Sequence, residues 1–375
     1  MAGIYIHIPF CRQACNYCNF HFTTSQATRN GFVPALLKEM ELRRKYLEGE
    51  PIHTVYLGGG TPSLLRQEEL TRILESVQRC FHPEPNAEIS LEANPDDMEE
   101  AAMDGWRRVG VNRLSIGVQS FQDGDLLAMN RVHDAARALR AIRSAREHGF
   151  SNFSIDLIYG SPWLSREDWR RNLDLAISLQ IPHLSCYALT LEEQTPLAYR
   201  VRAGRLPAPD PDEQAEQFLL LMERLEHAGY EHYEISNFAL PGYRSQHNSA
   251  YWRAEPYLGL GPSAHSFRGR MRQWNVSHNA QYIRSLESGI LPSEQEELSD
   301  TQRRNEYIMT SLRTIEGLNL ERFRQESGPG PEGELWKRSG PFLESGKMEK
   351  REQSLVLTRE GRLFADGIAS ALFFD

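Results

Sequence analysis

The chain has 375 residues, a formal net charge of −9 and 40% hydrophobic residues, enough for one large domain with a smaller one, or two of moderate size, around a substantial core. The acidic balance argues against non-specific binding to nucleic acid, and no run of about eighteen apolar residues marks a membrane span. Five cysteines without a recognisable targeting segment fit a reducing cytoplasm, with peripheral membrane contact still compatible.

From the N-terminus, the apolar run Gly3 to Ile8 predicts a strand that leads into Cys11, Cys15 and Cys18 at C-x3-C-x2-C spacing. An iron-sulfur cube has four irons, so three thiolates on a short loop leave one iron free for another ligand. A zinc site would want a fourth donor, for which His7 or His21 is available. Structural zinc sites, however, usually pair cysteines as C-x2-C with a second pair far away, and no second pair exists here. A disulfide framework does not suit a set in which Cys80 and Cys186 are isolated, and each of these reads as a small buried side chain. The spacing favours an iron-sulfur cluster.

Further strands are predicted at His53 to Leu57, Ala87 to Glu92, Arg113 to Val118, Asn152 to Ile158 and His183 to Leu189, with a looser seventh at Glu231 to Asn237. Helical patterns lie between them, among them Gln67 to Cys80, Ala135 to His148 closed by Gly149, and Asp212 to Ala228 closed by Gly229. Ser165 and Asp168 have the form of a capping box. Alternating strands and helices build a parallel sheet, either open or curved into a barrel. Successive strands end on distinctive elements: the cysteine loop, Gly58-Gly59-Gly60-Thr61-Pro62, Glu92, Gln119 and Asp156. Barrel enzymes gather functional groups at the C-terminal ends of their strands, so a full or incomplete barrel is expected.

From Pro292 the pattern changes. Helices are predicted at Thr301 to Arg313 and Asn319 to Glu326, then a Gly/Pro-rich stretch from Ser327 to Gly333, a helix-like piece, a hairpin around Lys347 to Leu357 and a last helix from Thr358. Helices plus a hairpin suggest a small winged-helix-like module. For an acidic chain, a lid or protein-contact role fits this module better than DNA.

The glycine run lacks the Gly-Lys-Ser/Thr end of a P-loop and the G-x-G-x-x-G of a dinucleotide fold. It reads as a turn whose bare backbone can approach a ligand closely. Glu92, just before Pro95, suits ribose hydroxyls or an ammonium group; Gln119 offers both donor and acceptor; Arg131 suits a carboxylate. Asp156 lies inside an apolar run, where an unpaired charge is costly.

Together and in this order, these residues resemble the radical S-adenosylmethionine superfamily, in the branch that holds oxygen-independent coproporphyrinogen III oxidase and the heme chaperone HemW. The most specific elements are the cysteine loop with Tyr17 and the segments GGGTP, LEANP, GVQSF, DLIYG and LGLGPSAHSF. The resemblance implies an α/β fold: a radical SAM core with a partial (β/α)6-type TIM barrel over residues 1–240, a connecting segment over 241–295 and a small winged-helix-like α+β domain over 296–375. It implies that Cys11, Cys15 and Cys18 hold a 4Fe-4S cluster whose open iron chelates S-adenosylmethionine. Tyr5, Tyr17, Gly59, Gly60, Thr61, Glu92, Gln119, Arg131 and Asp156 match positions that contact this cofactor.

Three departures from the oxidase pattern point to the chaperone branch. Phe20 stands where the oxidase carries a fourth cysteine, the chain begins almost at its first strand, and His247-Asn248-Ser249-Ala250-Tyr251-Trp252 reproduces H-N-x-x-Y-W. The motif implies heme b held by His247, Tyr251 and Trp252, since imidazole can ligate iron while aromatics pack on the macrocycle; His265 and His278 are alternative ligands. The implied function is transfer of heme to membrane or respiratory heme proteins from the cytoplasm, compatible with an electron donor and a homodimer and involving no nucleic acid. The rival readings are coproporphyrinogen III decarboxylation and a redox sensor whose C-terminal module binds nucleic acid.

Overall fold

In the computed structural model, which describes residues 2–375, six parallel strands follow sequence order: β1 (Ala2–Ile8), β2 (Ile52–Gly59), β3 (Glu88–Ala93), β4 (Arg113–Gln119), β5 (Phe153–Tyr159) and β6 (His183–Ala188). Each pairs in parallel with the next. Parallel neighbours need a crossover, and helices such as Arg29–Arg43, Gln67–Phe81, Ala135–Glu147 and Arg166–Ser178 supply it. The result is an incomplete (β/α)6 barrel.

Alternation along these strands decides what the wall encloses. Ile4, Ile6, Ile8, Val55, Leu57, Leu114, Ile116, Val118, Ile155 and Leu157 are fully buried in one apolar cluster with the helices. The intervening positions carry Thr54, Tyr56, Glu88, Ser90, Glu92, Arg113, Ser115, Ser154, Asp156, His183 and Ser185. Successive residues of a strand face opposite sides, so the helices pack on an aliphatic surface and a polar surface turns inward. Ordinary barrels fill their interior with branched aliphatic side chains; a polar lining suits a ligand instead.

The wall does not close on itself. β7 (Glu231–Glu234) and β8 (Asn237–Ala239) form a hairpin whose second strand pairs antiparallel with β6. The single seventh strand expected from sequence is therefore two short ones, because Ser236 N–H bonds back to the Glu234 carboxylate at 3.0 Å and turns the chain. On the other side, β9 (Tyr257–Leu260) lies parallel to β1, and β10 (His265–Arg268), β11 (Met271–Asn275) and β12 (Ser293–Glu297) extend it antiparallel. A buried knot fixes this extension to the helix Arg29–Arg43. Glu39 accepts from Arg43 Nε at 3.1 Å, Asn275 Nδ2 at 2.7 Å, Tyr282 Oη at 2.5 Å and Gly261 N–H at 2.9 Å.

A second apolar cluster, including Ile308, Leu312, Phe323, Leu335, Leu355 and Ile368, surrounds a small sheet of β13 (Leu318–Asn319), β14 (Met348–Arg351) and β15 (Ser354–Leu357) in the order β13-β15-β14. Its helices Asp300–Leu312 and Leu320–Ser327 and its hairpin stand within a residue or two of the expected bounds. The Gly/Pro-rich stretch is not simply a loop, since the helix Pro329–Glu344 begins inside it; proline is tolerated in a first turn, where its missing N–H has no partner to lose. The expected capping box at Ser165 is half formed. Ser165 Oγ accepts from Asp168 N–H at 3.1 Å, but the short Asp168 carboxylate takes the Ser165 hydroxyl at 2.6 Å instead of reaching back to the backbone. No helix among the described residues is long and apolar enough to cross a membrane.

Candidate cofactor site

A cavity of about 410 Å³ opens among the C-terminal ends of the parallel strands. Cys11, Cys15 and Cys18 line it, as do Tyr17, Gly59, Gly60 and Thr61, with Glu92, Gln119, Arg131 and Asp156 from the strand ends and the loop beyond β4. Tyr5 does not: its ring lies against Tyr56 at 6.2 Å and its hydroxyl is hydrogen-bonded to His7 Nδ1 at 3.0 Å.

Backbone bonds tie the cysteine loop to the barrel. Thr23 N–H donates to Pro9 O at 2.7 Å and Cys11 N–H to Thr23 O at 3.0 Å, while Asn16 N–H reaches Met129 O at 3.2 Å. The glycine segment approaches so closely that a Cβ on Gly60 would stand 2.8 Å from the carbonyl oxygens of both Ile8 and Phe10. Gly60→Ala is therefore expected to push the two loops apart and cost about 1–3 kcal/mol, seen in denaturant unfolding together with reduced iron uptake.

Burial governs protonation here. It pushes the Cys11 thiol up to about 11 and the Cys18 thiol up as well, so metal loading must release protons. Thr61 Oγ1 donates to Cys11 Sγ at 3.4 Å, and Arg131 Nη1 to Cys15 Sγ at 3.3 Å; both contacts favour a thiolate once it forms. Arg131 Nη2 is held by Asn94 Oδ1 at 2.6 Å and Gly117 O at 2.9 Å, and its buried Nε has no partner among the described residues. Gln119 adopts φ +67°, rare for a non-glycine residue, at a register break in β4.

Burial also raises Glu92 to about 7 and Asp156 to about 6. Tyr56 Oη at 2.8 Å and Gly59 N–H at 3.0 Å, each donating to one Glu92 oxygen, offset this only in part. A carboxyl raised above its unfolded value contributes stability below the unfolded pKa and loses it as pH climbs through the folded one. For Glu92 that window runs from pH 4.5 to about 7. Across it, the Tm of Glu92→Gln is expected to rise relative to wild type.

These groups fit the cofactors that the sequence implies. Three thiols of one loop share the cavity, whereas no three His, Cys, Asp or Glu side chains among the described residues converge on a single-ion site; a cube wants thiolates spread over separate irons. The bare glycine backbone, the unpartnered Arg131 Nε and the carboxylates of Glu92 and Asp156 offer what the ammonium, carboxylate and ribose of S-adenosylmethionine need.

The H-N-x-x-Y-W residues lie at the other end of the barrel, on the short helix Gln246–Trp252. Gln246 and His247 N–H donate to Glu88, at the start of β3, at 3.1 and 3.2 Å. His247 Nδ1 is hydrogen-bonded to Thr54 Oγ1 at 2.8 Å, and its ring stacks on Tyr56 with centroids 5.1 Å apart. Gly3 leaves the space for this, since a Cβ there would stand 2.7 Å from Thr54 Oγ1 and 3.3 Å from the imidazole. Burial lowers His247 to about 4, so the ring is neutral near pH 7, the form that binds metal. Tyr251 is 50% exposed, and Trp252 carries the Arg313 guanidinium 5.2 Å above its ring. The motif is thus divided between the barrel, solvent and the C-terminal module. Of the alternative ligands, His278 caps the helix Asn279–Glu287 through Nδ1, and His265 stands exposed on β10. Ser245 and Asn248 line the cavity, which therefore reaches from the cysteine loop to this helix.

Thr54, Tyr56, Glu88, Asn94 and Arg113 were not singled out from sequence. The signal was present in the polar residues at every second position of otherwise apolar strands, which mark an inward-facing polar wall.

Comparison with known proteins gives the family of the chain and relatives of its fold. Residues 5–176 match the model of the Radical SAM superfamily, and residues 298–364 that of the HemN C-terminal domain. The chain is 38% identical over 376 residues to a protein named Heme chaperone HemW from Mycobacterium tuberculosis, covering 99% of this chain and 94% of that protein. To the protein of the same name from Bacillus subtilis it is 34% identical, covering 99% of each. The structure of coproporphyrinogen III oxidase (HemN) from Escherichia coli, a radical SAM enzyme, shares the fold with a TM-score of 0.85 at 24% identity, over 99% of this chain and 90% of that one. With full-length similarity to HemW proteins and a cysteine-lined cavity at the strand ends, this chain belongs to the HemW family of the radical S-adenosylmethionine superfamily.

Proposed function

We propose that the protein is a heme chaperone, carrying a 4Fe-4S cluster on Cys11, Cys15 and Cys18 and S-adenosylmethionine in the cavity, and passing heme to membrane or respiratory heme proteins. The observation that carries this reading is the end-to-end similarity to proteins named heme chaperones. A bound cluster supplies an electron source and an open iron for the cofactor. Thr61 and Arg131 support the thiolates, Glu92 and Asp156 receive ribose or ammonium groups, and Gln119 serves as donor or acceptor. His247 supplies the heme ligand, and Tyr251 and Trp252 of the same helix supply aromatic contacts to the macrocycle. The same reading divides the chain at about residues 240 and 295, as the sequence resemblance implies, and puts the protein in the cytoplasm, with an electron donor, a homodimer and peripheral membrane contact as features to test.

The test is anaerobic reconstitution followed by heme titration. His247→Ala is expected to weaken heme binding at least about tenfold with iron and sulfide content unchanged. Unaltered heme affinity would remove His247 from the site. The fold shared with HemN favours a second reading, oxidative decarboxylation of coproporphyrinogen III. Protoporphyrinogen formed by reduced, cluster-loaded protein with S-adenosylmethionine would establish that reading over the first; none is expected.

A further inference from the structure

Tyr56 lines the cavity and also touches the His247 imidazole. The Tyr56 hydroxyl donates to Glu92 Oε1 at 2.8 Å on the cavity wall, while its ring stacks on the His247 imidazole at 5.1 Å and 22°. The other ring contact is Tyr5, at 6.2 Å and also 22°. Thr54, two residues earlier on the same face of β2, holds Nδ1, which leaves Nε2 as the nitrogen for an outside ligand. Glu88 pins the backbone of Gln246 and His247 and is itself buried beside Arg113 at 3.9 Å. Of the groups that hold the imidazole, Tyr56 is the one bonded to Glu92.

The two Glu92 oxygens are engaged by Tyr56 and by Gly59 N–H. A nucleoside-type ligand that brings hydroxyl or ammonium donors to this carboxylate must share or displace these bonds. The hydroxyl and the ring belong to one side chain, so a change of acceptor at Glu92 bears on the surface against which the imidazole stacks.

We propose that Tyr56 is a positioning residue that couples occupancy of the cavity to the setting of the His247 imidazole, so that S-adenosylmethionine bound at Glu92 changes the affinity of Nε2 for heme iron. This deepens the heme reading above and rests on it. Linkage requires the effect to be reciprocal: heme must change the affinity for S-adenosylmethionine by the same factor.

The experiment uses full-length protein with its cluster oxidised, so that the nucleoside is bound and not cleaved. Heme is titrated with and without saturating S-adenosylmethionine in wild type and Tyr56→Phe, which keeps the stack and removes the hydroxyl. In wild type the heme Kd is expected to change by about fivefold or more. In Tyr56→Phe the factor falls to near one, while heme affinity without the nucleoside is retained. No change in wild type, or an undiminished change in Tyr56→Phe, overturns the proposal. A second readout does not depend on heme. The 15N-histidine resonances of His247, assigned with a His247→Asn variant, are expected to move on adding S-adenosylmethionine to wild type and to stay put in Tyr56→Phe. Movement in wild type alone, combined with unaltered heme binding by His247→Ala, would support the coupling while overturning the heme reading. Resonances that stay fixed in wild type would overturn the coupling itself.

Discussion

Cys15→Ala is expected to give a folded protein that retains no stable four-iron cluster, while Cys186→Ala retains a full complement. The two cysteines differ in surroundings. Cys15 is partly exposed, lines the cavity and receives a hydrogen bond from Arg131. Cys186 is 1% exposed within the apolar cluster behind β6. Removing only a supporting partner of a metal ligand commonly lowers affinity about 10–100-fold, and removing the ligand itself must exceed that. Backbone bonds of Cys11, Asn16 and Thr23 anchor the loop, and Cys15 Sγ adds only the one from Arg131, so unfolding should shift little. Iron and acid-labile sulfide per chain after anaerobic reconstitution decide the matter. Cys15→Ala with undiminished iron and sulfide would exclude it as a ligand.

The largest expected loss of stability belongs to Arg43→Met. Arg43 is 5% exposed and Glu39 0%, and the guanidinium also donates to Gln273 Oε1 at 2.8 Å and Asn275 Oδ1 at 3.1 Å. Methionine replaces the volume but leaves the carboxylate without its cation. Breaking one side of a buried pair costs about 3–5 kcal/mol, whereas replacing both partners by apolar residues can be close to neutral. Arg43→Met should therefore unfold at clearly lower denaturant than the double variant Glu39→Met/Arg43→Met. Hydrogen exchange should localise the weakening to β11 and the end of β9, since Asn275 and Gly261 bond to the same carboxylate. If the single and double variants have equal stability, the pair is not the link between helix and sheet.

The barrel was legible because its strands combine aliphatic runs with turn residues at their ends, and Gly149 and Gly229 stop helices at φ +80° and +83°. The cysteine loop was legible because ligand spacing on a short segment is local information. The extension β9 to β12 was not. His265–Arg268 and Ser293–Glu297 carry few apolar residues, and their partners are fixed by a carboxylate at position 39, more than two hundred residues away. The polar lumen was read one residue at a time, through Glu92 and Asp156, and not as a wall including Tyr56 and Arg113. Nor could spacing tell that His247 and Trp252, five residues apart on one helical turn and a half, address different neighbours. That division follows from Glu88 and Thr54 on one side and Arg313 on the other.

The outermost strand of the extended wall, β12, reads Ser-Glu-Gln-Glu-Glu. An unpaired strand edge invites another chain to add on, and a dense row of like charges is one way proteins refuse it. Arg270 and Arg272 lie near Glu297 and Glu296, each at 3.7 Å, yet a second copy brought alongside would still set carboxylates against carboxylates. Edge-to-edge pairing through β12 is therefore disfavoured, so this open side of the wall is guarded by its own charge.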